Sequence, residues 1–311
     1  MDLSALRGKI AFASGRMGDY DIWRLDLPEL RLTQLTSGDY WNDSPRWSPD
    51  GKWILFTSNR TGAPEVFLMD EWGEQPRQLT DTKQYHRTPD WAPDGRAYVC
   101  VANYKGNFDL WRMDVDGNQQ PQQLTDYEED DYAPDFSPDG QTIVFTSQRS
   151  GNDDVWVLEC RTGLARQITT HRARDYSPRY TPDGKRMVFV SERVTGLRDP
   201  NVDLYVMEAD GSSVSRLTSN AGIDHYATVS PDGESLIYTA SKPRQISERL
   251  MLMKLAEGVP VQLSIDREPL ERELGATPEA VGLFALLPPS MIRTCYPEEY
   301  WGTERCPDWA V

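Results

Sequence analysis

A chain of 311 residues with a net charge of −16 and an isoelectric point near 4.7 repels phosphate backbones, so nucleic acid is excluded as a natural partner. The same charge favours cations, basic peptides and basic protein faces, although plain solubility explains it equally well. No run approaches the ~18 apolar residues of a membrane-crossing helix, so no transmembrane segment is expected.

Residues 1–9 lack the apolar core of a signal peptide, which fits a cytoplasmic chain or one that starts after a removed signal or anchor. The first predicted strand is Lys9–Ser14. The loop Ser14-Gly15-Arg16-Met17-Gly18 follows it, then a strand opening on Asp21-Ile22-Trp23, then one ending on Leu35-Thr36. From there a longer unit recurs. A short strand carries an aromatic (Trp47, Trp91, Phe136, Tyr180) or Val229, and runs into Pro-Asp-Gly at Asp50-Gly51, Asp94-Gly95, Asp139-Gly140, Asp183-Gly184 and Asp232-Gly233. Proline pre-sets φ and glycine accepts φ > 0, so each copy predicts a tight turn.

Second strands follow at Trp53–Ser58, Ala97–Ala102, Thr142–Ser147, Arg186–Ser191 and Ser235–Ser241, rich in Ile, Val, Phe and Tyr. Loops of the form Ser-x-Arg-x-Gly come next, at Ser58–Gly62 and Ser147–Gly151. Third strands open with an acid, an aliphatic and an aromatic: Glu65-Val66-Phe67, Asp109-Leu110-Trp111, Asp154-Val155-Trp156 and Asp203-Leu204-Tyr205; the sixth copy departs, with Arg249-Leu250-Met251. Fourth strands end on Leu79-Thr80, Leu124-Thr125, Ile168-Thr169, Leu217-Thr218 and Leu263-Ser264. The Pro-Asp-Gly copies are spaced by 44, 45, 44 and 49 residues, and four-stranded units at that period predict an all-β, six-bladed β-propeller of antiparallel blades. Each blade is apolar on both faces and must stack on its neighbours.

The first unit lacks its innermost strand, so the propeller is expected over residues 1–264 with a C-terminal tail over 265–311 that closes the ring and wraps the surface. Val281–Leu287 is the strand-like run for that closure; a short helix over residues 278–284 is the competing reading. Cys100 and Cys160 fall in apolar strand patterns and read as inert core residues. Cys295 and Cys306 form a disulfide in an oxidising compartment or stay as two free thiols; spacing alone does not decide.

Ser-Pro-Asp-Gly, Phe-Thr-Ser-x-Arg-x-Gly, Asp-Val-Trp and Leu-Thr together resemble the WD40-like repeat called PD40, over about residues 8–264. That repeat builds the propeller of the TolB-like family and resembles propellers attached to prolyl-oligopeptidase-type hydrolases. The resemblance implies a non-catalytic, monomeric binding scaffold in a periplasmic or extracellular setting. The separate N-terminal α/β domain of TolB has no counterpart in this sequence.

Chemistry has few footholds. No Gly-x-Ser-x-Gly, Cys-x-x-Cys or His-x-x-x-His occurs, and Asp114–Gly117 and Glu208–Gly211 only begin a calcium-loop pattern, so they read as hairpin turns. One constellation stands out. Counting seven residues back from each Pro-Asp-Gly reaches Asn42, His86, Asp131, Asp175 and Asp224, and one residue later Asp43, Arg87, Tyr132, Tyr176 and His225. Strand alternation puts both sets at one end of the ring, opposite the Pro-Asp-Gly turns. They are expected to ring the channel mouth and to bind a protein, a cationic ligand or another small ligand there. His86, Asp131, Asp175 and Asp224 could hold a divalent cation, calcium or a transition metal, and with it a metal-assisted lyase or hydrolase acting on a sugar or peptide. The competing reading is a polar lining of a wet channel. His171 lies further upstream in the same kind of loop. The acidic run Glu128–Asp131 and the loop 192–201, longer by five residues than most copies, stand at the same end. Arg16, Arg60, Arg149 and Arg193 recur with the repeat, as do Asp21, Glu65, Asp109, Asp154 and Asp203, so these residues are assigned to bonds within the blades.

Overall fold

The computed structural model describes residues 7–15, 19–82, 84–193, 202–219, 222–241, 248–255 and 260–262. Arg16, most of the 192–201 loop, Val281–Leu287, the 278–284 alternative, Cys295 and Cys306 lie outside the described residues.

Six antiparallel sheets follow one another in chain order, and each is a simple meander. Blade 1 has three strands: β1 (Gly8–Ser14), β2 (Asp21–Leu27) and β3 (Arg31–Gln34). Blade 2 has β4 (Asn42–Trp47), β5 (Trp53–Ser58), β6 (Glu65–Asp70) and β7 (Arg77–Gln78). Blade 3 has β8 (His86–Trp91), β9 (Ala97–Ala102), β10 (Asp109–Asp114) and β11 (Gln122–Gln123). Blade 4 has β12 (Asp131–Phe136), β13 (Thr142–Ser147), β14 (Asp154–Glu159) and β15 (Ala165–Gln167). Blade 5 has β16 (Asp175–Tyr180), β17 (Arg186–Ser191), β18 (Asp203–Glu208) and β19 (Ser215–Arg216). Blade 6 has β20 (Ile223–Val229), β21 (Ser235–Ser241), β22 (Glu248–Lys254) and β23 (Pro260–Gln262). The expected second strands coincide with β5, β9, β13, β17 and β21. The first strands of consecutive blades touch one another, so they are innermost.

The core is divided among the blade boundaries. Ala11, Ala13 and Ile22 of blade 1 pack on Trp47, Ile54, Phe56 and Phe67 of blade 2. Comparable clusters join each following pair, and Ile237, Leu250 and Leu252 of blade 6 pack on Ile10, Phe12, Trp23 and Leu25 of blade 1. The ring therefore closes through side-chain packing, with apolar burial as the holding force.

The Pro-Asp-Gly turns take the expected form. Their glycines have φ between 68° and 75°, and each glycine N–H donates to the carbonyl three residues back at 2.8–2.9 Å. Where the residue before proline is Ser or Thr, its hydroxyl donates to the turn aspartate, as from Ser48 to Asp50 at 2.7 Å and from Thr181 to Asp183 at 2.6 Å. Those bonds hold Asp50, Asp139, Asp183 and Asp232 below the usual carboxylate range. Asp114–Gly117 and Glu208–Gly211 are hairpin turns, closed by Gly117 N–H on Asp114 at 3.2 Å and Gly211 N–H on Glu208 at 2.8 Å.

Each inner strand also bends. Pairing slips one step in the middle of β4, β8, β12, β16 and β20. The residue at the slip is left-handed every time: Ser44, Thr88, Ala133, Ser177 and Tyr226, with φ of 46° to 54°. This bulge re-aims the residues on either side of it.

Candidate functional site at the channel mouth

Asn42, His86, Asp131, Asp175 and Asp224 are the first residues of their inner strands or next to them, and all five side chains are fully buried. They form a web beneath the mouth surface. Asn42 donates to Asp21 of the preceding blade at 3.0 Å and accepts from Arg60 at 2.9 Å. Asp131 pairs with Arg149 at 2.5 Å and Asp175 with Arg193 at 2.6 Å, and Ser191 donates to Asp175 at 2.6 Å. Each arginine reaches its partner by lying over aromatic rings of its own blade: Arg60 over Phe67, Arg149 over Trp156, Arg193 over Tyr205.

Blade 3 swaps both members of this pair. Tyr104 stands where the loops of blades 2, 4 and 5 have Arg60, Arg149 and Arg193, and His86 stands where those blades have Asn or Asp. His86 Nε2 meets Tyr104 Oη at 2.8 Å, its Nδ1 lies 2.8 Å from Glu65 of blade 2, and Tyr104 stacks on Trp111 with ring centres 4.4 Å apart. Burial pushes the Glu65 carboxyl up, but hydrogen bonds from His86 and Thr80 outweigh it and hold the group below its ordinary value.

The third-strand acids complete the web. In blades 1 to 4 the threonine that follows the outermost strand accepts a backbone N–H from the strand that opens with the acid and donates to that acid. Thr36 accepts from Ile22 at 2.8 Å and donates to Asp21 at 2.8 Å, and Thr125 and Thr169 repeat the arrangement on Asp109 and Asp154. Burial raises Asp109 and Asp154, and the neighbouring Asp131 and Asp175 raise them further.

The second set lies one residue further along each inner strand. Asp43, Tyr132 and Tyr176 are buried, while Arg87 and His225 are partly exposed. Arg87 lies against Trp41 and Tyr85, each 5.6 Å from the ring centre. Tyr176 Oη and His225 Nε2 meet across blades 5 and 6 at 3.5 Å. Arg174 lies over Tyr176 and pairs with Asp153 and, at 3.3 Å, with Glu192. Burial first, then the Arg174 charge, lowers His225 to about 4, so it is neutral at neutral pH. His171 is exposed in the same loop, and its Nδ1 accepts the Ala173 N–H at 3.0 Å.

Among the described residues no three His, Cys, Asp or Glu side chains gather to hold a metal. In particular His86, Asp131, Asp175 and Asp224, one to a blade, do not form such a group. What the mouth does offer is rim chemistry. Tyr85 and Tyr127 are 43% and 48% exposed on loops that feed inner strands, and Asp126, Glu128 and Glu129 beside Tyr127 are exposed as well.

A second polar ring lies deeper, and counting back seven residues passed over it. Three residues before each Pro-Asp-Gly come Arg46, Asp90, Asp135, Arg179 and Thr228. Arg46 pairs with Asp90 of the next blade at 3.3 Å, and Arg179 with Asp135 of the preceding blade at 3.3 Å. Asp90 also accepts the backbone N–H of Phe136 in the next blade at 2.9 Å, and Asp135 that of Tyr180 at 2.8 Å. Burial and the mutual repulsion of the two carboxylates hold Asp135 well above the usual range, and burial raises Asp90. Burial lowers Arg46 to about 10. A charged residue next to a large aromatic, repeated at one offset, was the available signal.

The PD40 family model, the TolB beta propeller domain, matches residues 6–132 and 119–264. A protein assigned as TolB from Agrobacterium tumefaciens is 21% identical, with a TM-score of 0.67 over 84% of this chain and 89% of that one. TolB from Acinetobacter baumannii is 22% identical, with a TM-score of 0.71; the match covers 82% of this chain but only 63% of that one. Oligogalacturonate lyase from Vibrio parahaemolyticus is 18% identical, with a TM-score of 0.54 over 83% of this chain and 74% of that one. At these identities the likeness is one of fold. No curated protein matches the chain in sequence.

Proposed function

This chain belongs to the PD40 TolB beta propeller family, and from that premise we propose that it is a binding propeller whose channel mouth takes a basic segment of a partner protein. The observation that carries the reading is the rim: Tyr85 and Tyr127 expose aromatic faces beside exposed Asp126, Glu128 and Glu129. Aromatic faces and carboxylates together suit arginine and lysine side chains. The first polar ring plays a supporting part, since Asn42, His86, Asp131 and Asp175 are tied to loops of their own blades or to acids of the preceding blade and keep the inner strands in place. The expected binding residues are therefore the rim and, of the second set Asp43, Arg87, Tyr132, Tyr176 and His225, the partly exposed Arg87 and His225, with the buried three beneath them. The metal-assisted lyase or hydrolase needs several ligands in one place, and His86, Asp131 and Asp175 are already engaged by Tyr104, Arg149 and Arg193. Family membership points to a periplasmic or extracellular setting.

The test uses two labelled probe peptides of equal length, one alternating arginine with glycine and one glutamate with glycine. The arginine peptide is expected to bind, and Tyr85→Ala with Tyr127→Ala to weaken it at least about tenfold, in keeping with aromatic anchors at a binding surface. Equal binding of both peptides, or no effect of the two alanines, overturns the proposal.

A further inference from the structure

The web beneath the mouth draws on three positions at each blade junction. They are the acid that opens a third strand, the first residue of the next inner strand, and the second residue after that blade's second strand. Between blades 1 and 2 these are Asp21, Asn42 and Arg60; between blades 3 and 4, Asp109, Asp131 and Arg149; between blades 4 and 5, Asp154, Asp175 and Arg193. Between blades 2 and 3 all three change together, to Glu65, His86 and Tyr104. The serine whose hydroxyl accepts from Arg60 at 3.0 Å and from Arg149 at 2.8 Å becomes Ala102 there as well. Three junctions hold their blades together with the usual residues, so packing alone does not call for this set.

The exchange alters the chemistry of the junction. At the other three a guanidinium supplies a fixed positive charge; within Glu65, His86 and Tyr104 a positive charge can come only from a proton taken up by the imidazole. Glu65 lies 2.8 Å from His86 Nδ1 and also accepts from Thr80 and, at 3.3 Å, from the Thr82 N–H. A carboxylate there favours the proton on Nδ1, which leaves the Nε2 lone pair to accept the Tyr104 O–H at 2.8 Å. Hydroxyl, imidazole and carboxylate in series form the arrangement in which a base draws a proton from a nucleophile while a third group orients the base. Burial raises the Tyr104 hydroxyl above its ordinary value, against a hydrogen bond from Thr82 that lowers it, so the phenol keeps its proton at rest. His86 is fully buried and Tyr104 half-buried, so the phenol is the member of the series that a ligand can reach. Its ring is held on Trp111, and its loop is tied to both rim aromatics: Asn103 N–H donates to the Tyr85 carbonyl at 3.2 Å and Asn107 to the Tyr127 carbonyl at 2.7 Å.

We infer that Tyr104 is a nucleophile served by His86 as base and Glu65 as positioning residue, and that this junction takes acyl groups from aryl esters or thioesters that reach the rim. In the step, Tyr104 Oη attacks the acyl carbon as its proton passes to His86 Nε2. The bond from the acyl carbon to the leaving oxygen or sulfur breaks, and the leaving group departs with the electron pair. Tyr104 is left as an aryl ester, and the imidazolium beside Glu65 returns its proton to solvent. Aryl oxide and thiolate leaving groups suit the site because they depart without first being protonated, and the one base present has already taken up the tyrosine proton. The inference is independent of the basic-segment reading, since such an acyl donor needs no positive charge.

The full chain treated with p-nitrophenyl acetate, with the acetylated residues located by peptide mass spectrometry over time, tests this. Tyr85 and Tyr127 are 43% and 48% exposed and serve as internal standards in the same molecule. Tyr104 is less exposed than either, yet it is expected to acetylate at least about tenfold faster, a modest share of the ~10²–10⁴-fold that a positioned base supplies. His86→Asn, which installs the residue of the blade 2 junction, is expected to bring Tyr104 down to the rate of the standards or below it. Glu65→Gln should slow it as well, and the two changes together should slow it no more than His86→Asn alone, because the three groups act as a unit. A purely structural web predicts the opposite sign: loosening it would expose Tyr104 and speed its labelling. Labelling of Tyr104 that is unchanged or faster in His86→Asn therefore overturns the inference. So does a parent protein in which Tyr104 labels no faster than Tyr85 and Tyr127, a comparison that holds even if the variants do not fold. Acetyl groups found on His86 instead of Tyr104 would make the imidazole the nucleophile and overturn it too.

Discussion

Asp135 shows how a single carboxyl is set by its place in the ring. It is largely buried, with 16% of its side chain exposed, it faces Asp90, and it leans on Arg179 and the Tyr180 N–H. Burial is the larger cause of its raised pKa and the Asp90 charge the second. A carboxyl raised in the folded state holds its proton more tightly folded than unfolded. The stability that proton confers is full below the ordinary carboxylate range and is lost as pH rises through the raised value. Asp135→Asn keeps an acceptor for Tyr180 and cannot titrate. Its melting temperature relative to the parent is therefore expected to climb from about pH 4 to about pH 7. A constant difference across that range would mean that the Asp135 carboxyl is not raised in the folded protein. The arginines of the Ser-x-Arg-x-Gly loops were legible as blade residues because they recur; their partners were not, because Asn42, Asp131 and Asp175 recur only as acceptors. His86 looked like a ligand for the same reason. Its role became visible only when Tyr104 was found in the arginine's place.

At the level of the strand, turns and bulges differ in how plainly the sequence declares them. Each Pro-Asp-Gly turn carries a glycine at φ near 70°, so residue type and backbone agree. The bulge of each inner strand carries Ser, Thr, Ala, Ser or Tyr at φ near 50°, so no glycine or asparagine marks it. Tertiary packing holds these residues left-handed against their own preference, at about 1–3 kcal/mol each. Strand positions were therefore readable to the residue, and the bend inside the strand was not. Thr88 is the most strained of the five, because it is β-branched and its buried hydroxyl has no partner among the described residues. Thr88→Gly removes the branch and the stranded hydroxyl. Thermal unfolding is expected to show a gain of about 1 kcal/mol, net of the greater chain entropy of glycine. Thr57→Gly in β5, where the backbone is ordinary strand, should lose stability instead. A loss at both positions would show that the bulge is not strained.

The net charge is −16, and among the described residues exposed acids stand at both ends of the ring, so net charge alone does not aim a partner at the mouth. Strand alternation settles which acids belong to which end. Asp126, Glu128 and Glu129 stand on the loop that feeds β12, at the mouth. Glu74, Asp116 and Glu159 stand on hairpins between third and fourth strands, at the far end, and all six are exposed. Neutralising either trio to the amides changes the net charge equally. The long-range field of the protein then falls by a similar amount, while the field at the mouth falls only in the first variant. For the arginine peptide, the mouth variant is expected to bind more slowly and to lose most of its salt dependence, measured by stopped-flow association at low and at physiological ionic strength. Charges beyond a screening length of about 8 Å hardly act at physiological salt. The far-end variant should therefore match the parent there and differ from it only at low salt. Equal slowing by both trios at physiological salt would mean that the peptide answers to the overall charge rather than to the rim. The mouth would then be a feature of the fold without a binding role.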